Sequence, residues 1–258
     1  MTELETILQA LPSASRVLDL GGWFKPLAAA THVVDLMPYE TRRGVLTPEP
    51  VAGELFSRAT WTQANFLSPG FRLPFADRFF ALVTCGHTLE DLTDPAPLLA
   101  EIQRVGQAGV IWGPTRLSEQ TRGVRDRQCR EPGHPHHHWI VDPIPRGLRF
   151  CAKADSLPGG AALPLRHYER TAGPGEFLFH WRDRFAVDFV RGEAAATLAR
   201  DFARRQAVRP SDRWLDPLTR RGRAGKRRLL RSPPFNAPEA WWARMLEISR
   251  PFSAIPLQ

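Results

Sequence analysis

The sequence predicts an α/β chain whose core is a doubly wound, mostly parallel sheet. Three observations predict it. Short β-type runs recur through the first half: Arg16–Leu20, Thr31–Leu36, Ala59–Asn65, Phe79–Thr84 and Val110–Trp112. Helical or irregular segments separate them, as crossovers between parallel strands require. The run Phe79-Phe-Ala-Leu-Val-Thr84 is nearly all apolar, the pattern of a strand buried on both faces.

The elements follow in order. Thr6 to Leu11 reads as a short helix closed by Pro12. The first β-run ends at the pair Gly21-Gly22, and the second ends in Asp35 before Met37-Pro38. Residues 38–58 are irregular and polar, with Pro38, Gly44, Pro48, Pro50 and Gly53. Ser68-Pro69-Gly70 closes the third run. Asp94-Pro95 predicts a helix start, with Asp as N-cap and Pro at the first position. Leu98, Leu99, Ile102 and Val105 then share one helical face, and Gly106 and Gly109 end the helix. After Thr115 the alternation stops. Leu148–Lys153 and Phe177–Val190 contain β-like runs, expected to form an antiparallel pair added to the sheet edge. Phe177, Phe179, Trp181, Phe185 and Phe189 fit core packing there. A last helix is expected within Leu229–Ser249. The predicted division is a core over 1–118 and a loop-rich extension over 119–258.

Composition bounds the class. The chain has 258 residues, 43% hydrophobic and 24% charged, which suits one α/β domain with an appendage in a soluble globular protein. Its 24 prolines are in excess mainly after Pro114, in keeping with a loop-rich second half. Cys85, Cys129 and Cys151 are odd in number and widely spaced, so a disulfide framework is not expected and a reducing cytoplasm is. The N-terminal stretch lacks the apolar run of a signal peptide, and no run is long enough to span a bilayer. The net charge is +8, nearly all of the basic residues being Arg. Eleven Lys/Arg against Asp212 and Asp216 fall between Arg204 and Arg231. That segment reads as a solvated surface or as a contact for an anionic partner, nucleic acid included.

The residues that carry chemistry stand at strand ends, where ligands bind in open α/β sheets. Asp19 and the turn Gly21-Gly22 follow the first strand, and glycine lets the backbone turn tightly against a ligand. Asp35 ends the second strand, sixteen residues after Asp19, close to the spacing at which an acid meets a ribose diol. Asn65 ends the third, and its amide offers both a donor and an acceptor to an adenine edge. Leu73-Pro-Phe-Ala-Asp77 leads into the fourth strand and then Cys85-Gly-His-Thr-Leu-Glu-Asp91.

RVLDLGG, VVDLMPYE, LPFADRFFALVTCGHTLEDLTDP and LLAEIQRVGQAG, in that order over residues 14–116, resemble the class I S-adenosylmethionine-dependent methyltransferases, whose core is Rossmann-like. TRLSEQTRGVRDRQ and PGHPHHHW also look like a subgroup of bacterial methyltransferase-domain proteins without a known substrate. The resemblance implies S-adenosyl-L-methionine as cofactor. It places Asp19, Gly21 and Gly22 in the first-motif turn, Asp35 on the ribose, and Asn65 at the adenine with Phe66 beside it. It places Cys85, Gly86 and His87 on the methionine side. Three positions depart from the pattern: Trp23 and Lys25 replace turn glycines, Asn65 replaces an acid, and Asp91 replaces the last His of an "SHxLEH" segment.

Methyl transfer is a displacement at an activated sulfonium, so positioning supplies much of the catalysis, with a base where the acceptor needs one. His87, just beyond the fourth strand, is the candidate base, or else a residue that shapes the pocket. Glu90 and Asp91 read as a loop-satisfying carboxylate and a solvated one. Gly133-His-Pro-His-His-His-Trp139 is the most unusual stretch. His134, His136, His137 and His138 read first as pocket lining or a structural loop, then as acid–base groups, then as metal ligands; no metal is assigned. Trp139 reads as core. The functional expectation is methylation of a small-molecule or glycan-type acceptor. The alternatives are a non-catalytic binding protein on a degenerate methyltransferase fold, and an RNA-directed enzyme using 204–231.

Overall fold

The computed structural model describes residues 3–214, apart from 126, 128, 130, 158–160 and 174. The expected helix within Leu229–Ser249 and most of the basic segment 204–231 lie outside the described residues. The described residues divide into two compact units, one formed by residues up to Gly113 with 178–186, the other by 114–177 and 187–214.

The first unit is built on α1 (Glu3–Ala10), β1 (Val17–Leu20), β2 (His32–Asp35), β3 (Trp61–Gln63), β4 (Leu82–Gly86), α2 (Ala96–Val105) and β5 (Ala108–Pro114). With β8 (Glu176–Arg182) they make a six-stranded sheet of order β3-β2-β1-β4-β5-β8. The pairs from β3 across to β5 are parallel, as the buried apolar runs predict. Residues Val17 to Leu20 are all buried. The order reverses at β1, between β2 and β4, which is where an open α/β sheet forms its ligand crevice.

The connections are leaner than alternation implies. Only α2 is a helix between parallel strands among the described residues. Residues 21–31 cross from β1 to β2 by turns, and 36–60 contain only 3₁₀ segments. The Asp94 carboxylate accepts from the Ala96 N–H at 3.1 Å, so it caps the start of α2. Leu98, Leu99, Ile102 and Val105 are buried, each contributing about 1.5–3 kcal/mol by removal from water.

The irregular stretch 38–58 is anchored from within. The Arg42 guanidinium and the Glu54 carboxylate pair at 3.1 Å with no exposed side-chain surface on either. Arg42 also donates to the Tyr39 carbonyl at 3.2 Å and to the Thr47 carbonyl, and its guanidinium lies 3.9 Å from the Tyr39 ring centre. Tyr39, Phe56 and Trp61 join Val17, Val33 and Val110 in one apolar cluster, against which Leu4, Ile7 and Leu8 of α1 pack.

The second unit holds α3 (Arg116–Glu119), β6 (Trp139–Ile144), β7 (Gly147–Ala152), α4 (Lys153–Ser156), α5 (Leu165–Thr171), β9 (Ala186–Val190), α6 (Gly192–Arg205) and α7 (Pro210–Trp214). A second sheet runs β6-β7-β9. This corrects the expected antiparallel pair. The Leu148–Lys153 run is β7, and its antiparallel partner is β6, through a two-residue turn at Pro145-Arg146 where Arg146 takes φ 64°. The Phe177–Val190 run is two strands, because Asp183 at φ 62° breaks it. Its first half, β8, joins the large sheet, and its second half, β9, joins the small one. Trp139 is buried against Phe150 and Phe189. All three cysteines are free thiols; Cys85 and Cys151 are buried and Cys129 is partly exposed.

Candidate functional site

The parallel register brings the predicted residues to one end of the first unit's sheet. Asp19 lies beside Val33 on β2 and Thr84 on β4, and Leu20 lies beside Cys85. Asp35 closes β2 opposite Gln63, and Gly86 closes β4 opposite Trp112. His87 follows, its N–H donating to the Trp112 carbonyl at 3.1 Å.

Asp19 is buried and serves the turn. Its Oδ2 accepts from the Leu27 N–H at 2.8 Å, and its Oδ1 accepts from the Thr84 hydroxyl at 2.9 Å. Burial pushes its carboxyl up to about 6, against those two bonds. Gly21 takes φ 75°, and a Cβ there would meet the Thr88 hydroxyl at 1.9 Å. A Cβ on Gly22 would meet Asp19 Oδ2 at 2.3 Å. Gly21 is therefore fixed by Thr88, just past β4, and Gly22 by Asp19 of β1.

Asp35 is the second buried carboxylate. Its Oδ1 accepts from the Met37 N–H at 2.8 Å and its Oδ2 from the Trp23 N–H at 3.0 Å. Burial pushes its carboxyl up to about 7, the Met37, Trp23 and Leu36 N–H groups opposing and the Asp19 charge adding. Each oxygen retains acceptor capacity after one bond, enough for a vicinal diol.

Trp23 departs from glycine but leaves the turn intact. Its indole N–H donates to the Thr41 carbonyl at 2.5 Å, so the ring is anchored on the segment after β2. Lys25 is exposed. Asn65 lies two residues beyond β3 and is exposed, with its Oδ1 taken by the Leu67 N–H at 2.9 Å. Its other amide atom remains for an external partner. Phe66 is buried against Phe71, so it acts from within the wall.

At the β4 end, burial and the nearby charges of Glu90 and Asp19 hold the Cys85 thiol well above its ordinary range. It is a neutral wall group rather than a nucleophile. A Cβ on Gly86 would lie 2.0 Å from the Trp112 indole, which covers this glycine. His87 takes φ 50°, and its imidazole is about half exposed, with Nδ1 3.4 Å from the buried Glu90 carboxylate. Thr84, Thr88 and Trp112 are the site residues that the sequence reading missed. Their signal, a hydrogen bond from Thr84 and close contacts from Thr88 and Trp112, becomes visible only when the strands are paired.

The second unit holds the histidines around one carboxylate. Glu119 is buried, and its Oε1 lies 3.0 Å from His134 Nδ1 and 2.9 Å from His137 Nδ1. Its Oε2 accepts from the Lys153 ammonium at 2.5 Å. These partners hold its carboxyl far below the usual range despite burial. Burial and the positive neighbours push His136 down to about 3. His138 is exposed. The same unit contains a cavity of about 270 Å³ lined by Leu117, Val141, Pro143, Phe177 and Phe202, with the Arg116–Asp142 ion pair at its wall.

The fold is a Rossmann-like α/β sheet, with two buried acids and a glycine turn gathered at its strand ends. The family model of the methyltransferase domain matches residues 31–111. Among solved structures, the chain is similar to a methyltransferase from Bacillus halodurans at 20% identity, over 44% of this chain and 51% of that one, with a TM-score of 0.33. It is similar to an S-adenosylmethionine-dependent methyltransferase from Aquifex aeolicus at 16% identity, over 44% and 65%, with a TM-score of 0.31. Another, from Mesorhizobium loti, is 15% identical over 77% and 78%, with a TM-score of 0.35. The chain thus spans about half the length of the first of these. No curated protein matches it in sequence.

Proposed function

We propose that this chain binds S-adenosyl-L-methionine at the ends of β1, β2 and β4 and transfers its methyl group to a small-molecule or glycan-type acceptor. The observation that carries the reading is Asp35, a buried carboxylate at the end of β2 with acceptor capacity left on both oxygens. Asp19 supports it by fixing the turn at Gly21 and Gly22. In this reading Asn65 and Phe66 serve the adenine, and Cys85 and Gly86 line the methionine side. His87 is the acid–base group, its half-exposed ring steadied by Glu90. The first unit, residues up to Gly113 with 178–186, is the cofactor core in place of the expected 1–118, and the second unit serves the acceptor in place of the expected 119–258. The mostly apolar cavity in the second unit favours a small acceptor with an apolar part. The free cysteines fit a reducing compartment such as the cytoplasm. Among the described residues no helix is long and apolar enough to cross a membrane.

Calorimetric titration with S-adenosyl-L-methionine and its demethylated product tests the reading. The expected result is one site for each. No binding overturns it, and unchanged affinity in Asp35→Ala overturns the ribose placement. A non-catalytic protein is the second reading. It is favoured by Trp23 and Lys25, which stand where the resembled turn has glycines. Binding without methyl transfer to any fraction of a metabolite pool would support it.

A further inference from the structure

The Gly133–Trp139 stretch is not used by the cofactor site. Its place in the second unit shows a built cluster. Glu119 ends α3 with a fully buried side chain, and two imidazoles aim Nδ1 at the same carboxylate oxygen, at 3.0 and 2.9 Å. The His134 and His137 rings stack with centroids 4.6 Å apart. Gly133, at φ 62°, lets the loop press onto the carboxylate; a Cβ there would lie 2.5 Å from Glu119 Oε2. Lys153 holds that second oxygen and also donates to the His134 carbonyl at 2.6 Å. The carboxylate thus presents one oxygen to the imidazoles and has its other oxygen fixed.

We propose that Glu119 Oε1, His134 Nδ1 and His137 Nδ1 form a binding site for one divalent transition metal ion. Three such atoms lie within 4.8 Å of one another. Around an ion with bonds of about 2.1 Å, ligand atoms lie about 3.0 Å apart at right angles and about 3.4 Å apart in a tetrahedron, so the two carboxylate–imidazole separations need open by no more than about half an ångström. Two imidazoles and one carboxylate are the donor set of zinc, cobalt, nickel and ferrous iron, whereas magnesium and calcium take oxygen donors. A ligating carboxylate held by an outer hydrogen bond is the usual support for such a site, and Lys153 supplies it here. Its positive charge works against the cation, so it sets the affinity below what the three ligands alone would give. Tight spacing in the sequence argues against convergence of all four histidines. The turn from His134 to His137 brings two of them onto one group from another element.

The test uses the full chain without an affinity tag, stripped with a chelator and titrated with cobalt(II), zinc(II) and magnesium(II). Uptake is read by elemental analysis and thermal shift. The expected result is one equivalent of cobalt or zinc with a raised Tm, and no shift with magnesium. His134→Ala, at a partly exposed position, should weaken binding by about 100-fold. Lys153→Gln keeps a donor to Glu119 but removes the charge, and should bind cobalt at least as tightly as the parent. No stoichiometric uptake by either the parent or Lys153→Gln overturns the proposal. So does undiminished uptake by His134→Ala, or an equal shift with magnesium.

Discussion

The Trp23 N–H donates to Asp35 Oδ2 at 3.0 Å, so the turn after β1 and the acid that ends β2 are joined directly. Asp35 is poised between a backbone role and a ligand role. Ribose hydroxyls donate to a carboxylate, and ionised acceptors make bonds worth about 1.5–3 kcal/mol each. With the Asp35 carboxyl at about 7 in the unliganded protein, cofactor binding should release a proton below neutrality. Affinity should rise from pH 5.5 to pH 8 and then level. Asp35→Asn should bind about 10–100-fold more weakly at pH 8 and lose the pH dependence. Calorimetry in two buffers of different ionisation enthalpy measures the released proton.

The same carboxyl leaves a signature in the stability of the free protein. Its pKa is higher folded than unfolded, so the folded state binds the proton more tightly. That contribution is full below about 4 and is lost as pH rises through about 7. His136, pushed down to about 3, has the opposite sign: its contribution is full above about 6.5 and lost as pH falls. The parent curve mixes these with the Asp19 carboxyl, up at about 6 and of the same sign as Asp35, so the difference between variants is the observable. The Tm of Asp35→Asn relative to the parent should increase between pH 5 and pH 8. A flat difference would show that Asp35 is not strained by burial.

Gly21 and Gly86 are both blocked by neighbours, but for different reasons. The three atoms nearest to a Cβ on Gly86 all belong to the Trp112 indole, and its φ is not positive. Gly86→Ala should cost about 1–3 kcal/mol by overpacking, and Trp112→Leu in the same chain should restore much of it. Gly21 combines the Thr88 contact with φ 75°, so Thr88→Ala should rescue Gly21→Ala less completely. Urea unfolding of the four chains reads both comparisons.

Removing Arg42 should leave the buried Glu54 carboxylate with only the partly exposed Arg43 guanidinium, 3.0 Å away, as its charged partner. Arg42→Met is expected to cost about 3–5 kcal/mol. Replacing Arg43, whose side chain is 40% exposed beside the same carboxylate, should cost under about 1 kcal/mol. Denaturant midpoints at constant m-value separate the two.

The parallel sheet was legible because its strands are buried on both faces and read as apolar runs. Asp19, Asp35 and the glycine turn were legible because they sit at strand ends. The connections were not, because segments such as 21–31 carry neither helical period nor strand alternation, and side-chain anchors fold them instead. Arg42 is the example: it looks like a surface cation and is fully buried. β6 escaped because Pro143 interrupts a run that follows four histidines, although a hairpin tolerates it. The break inside Phe177–Val190 rests on one residue, Asp183, whose left-handed backbone has no composition signal. Thr88 and Trp112 matter through contacts made only across paired strands.

The three thiols give the molecule a built-in gauge of opening. A mild alkylating reagent should react with Cys129 in the native protein and spare Cys85 and Cys151. Cys85 lies on β4 of the first unit and Cys151 on β7 of the second. The rate at which each becomes modified therefore reports the opening of its own unit, and one labelling experiment followed by peptide mapping tells which of the two gives way first.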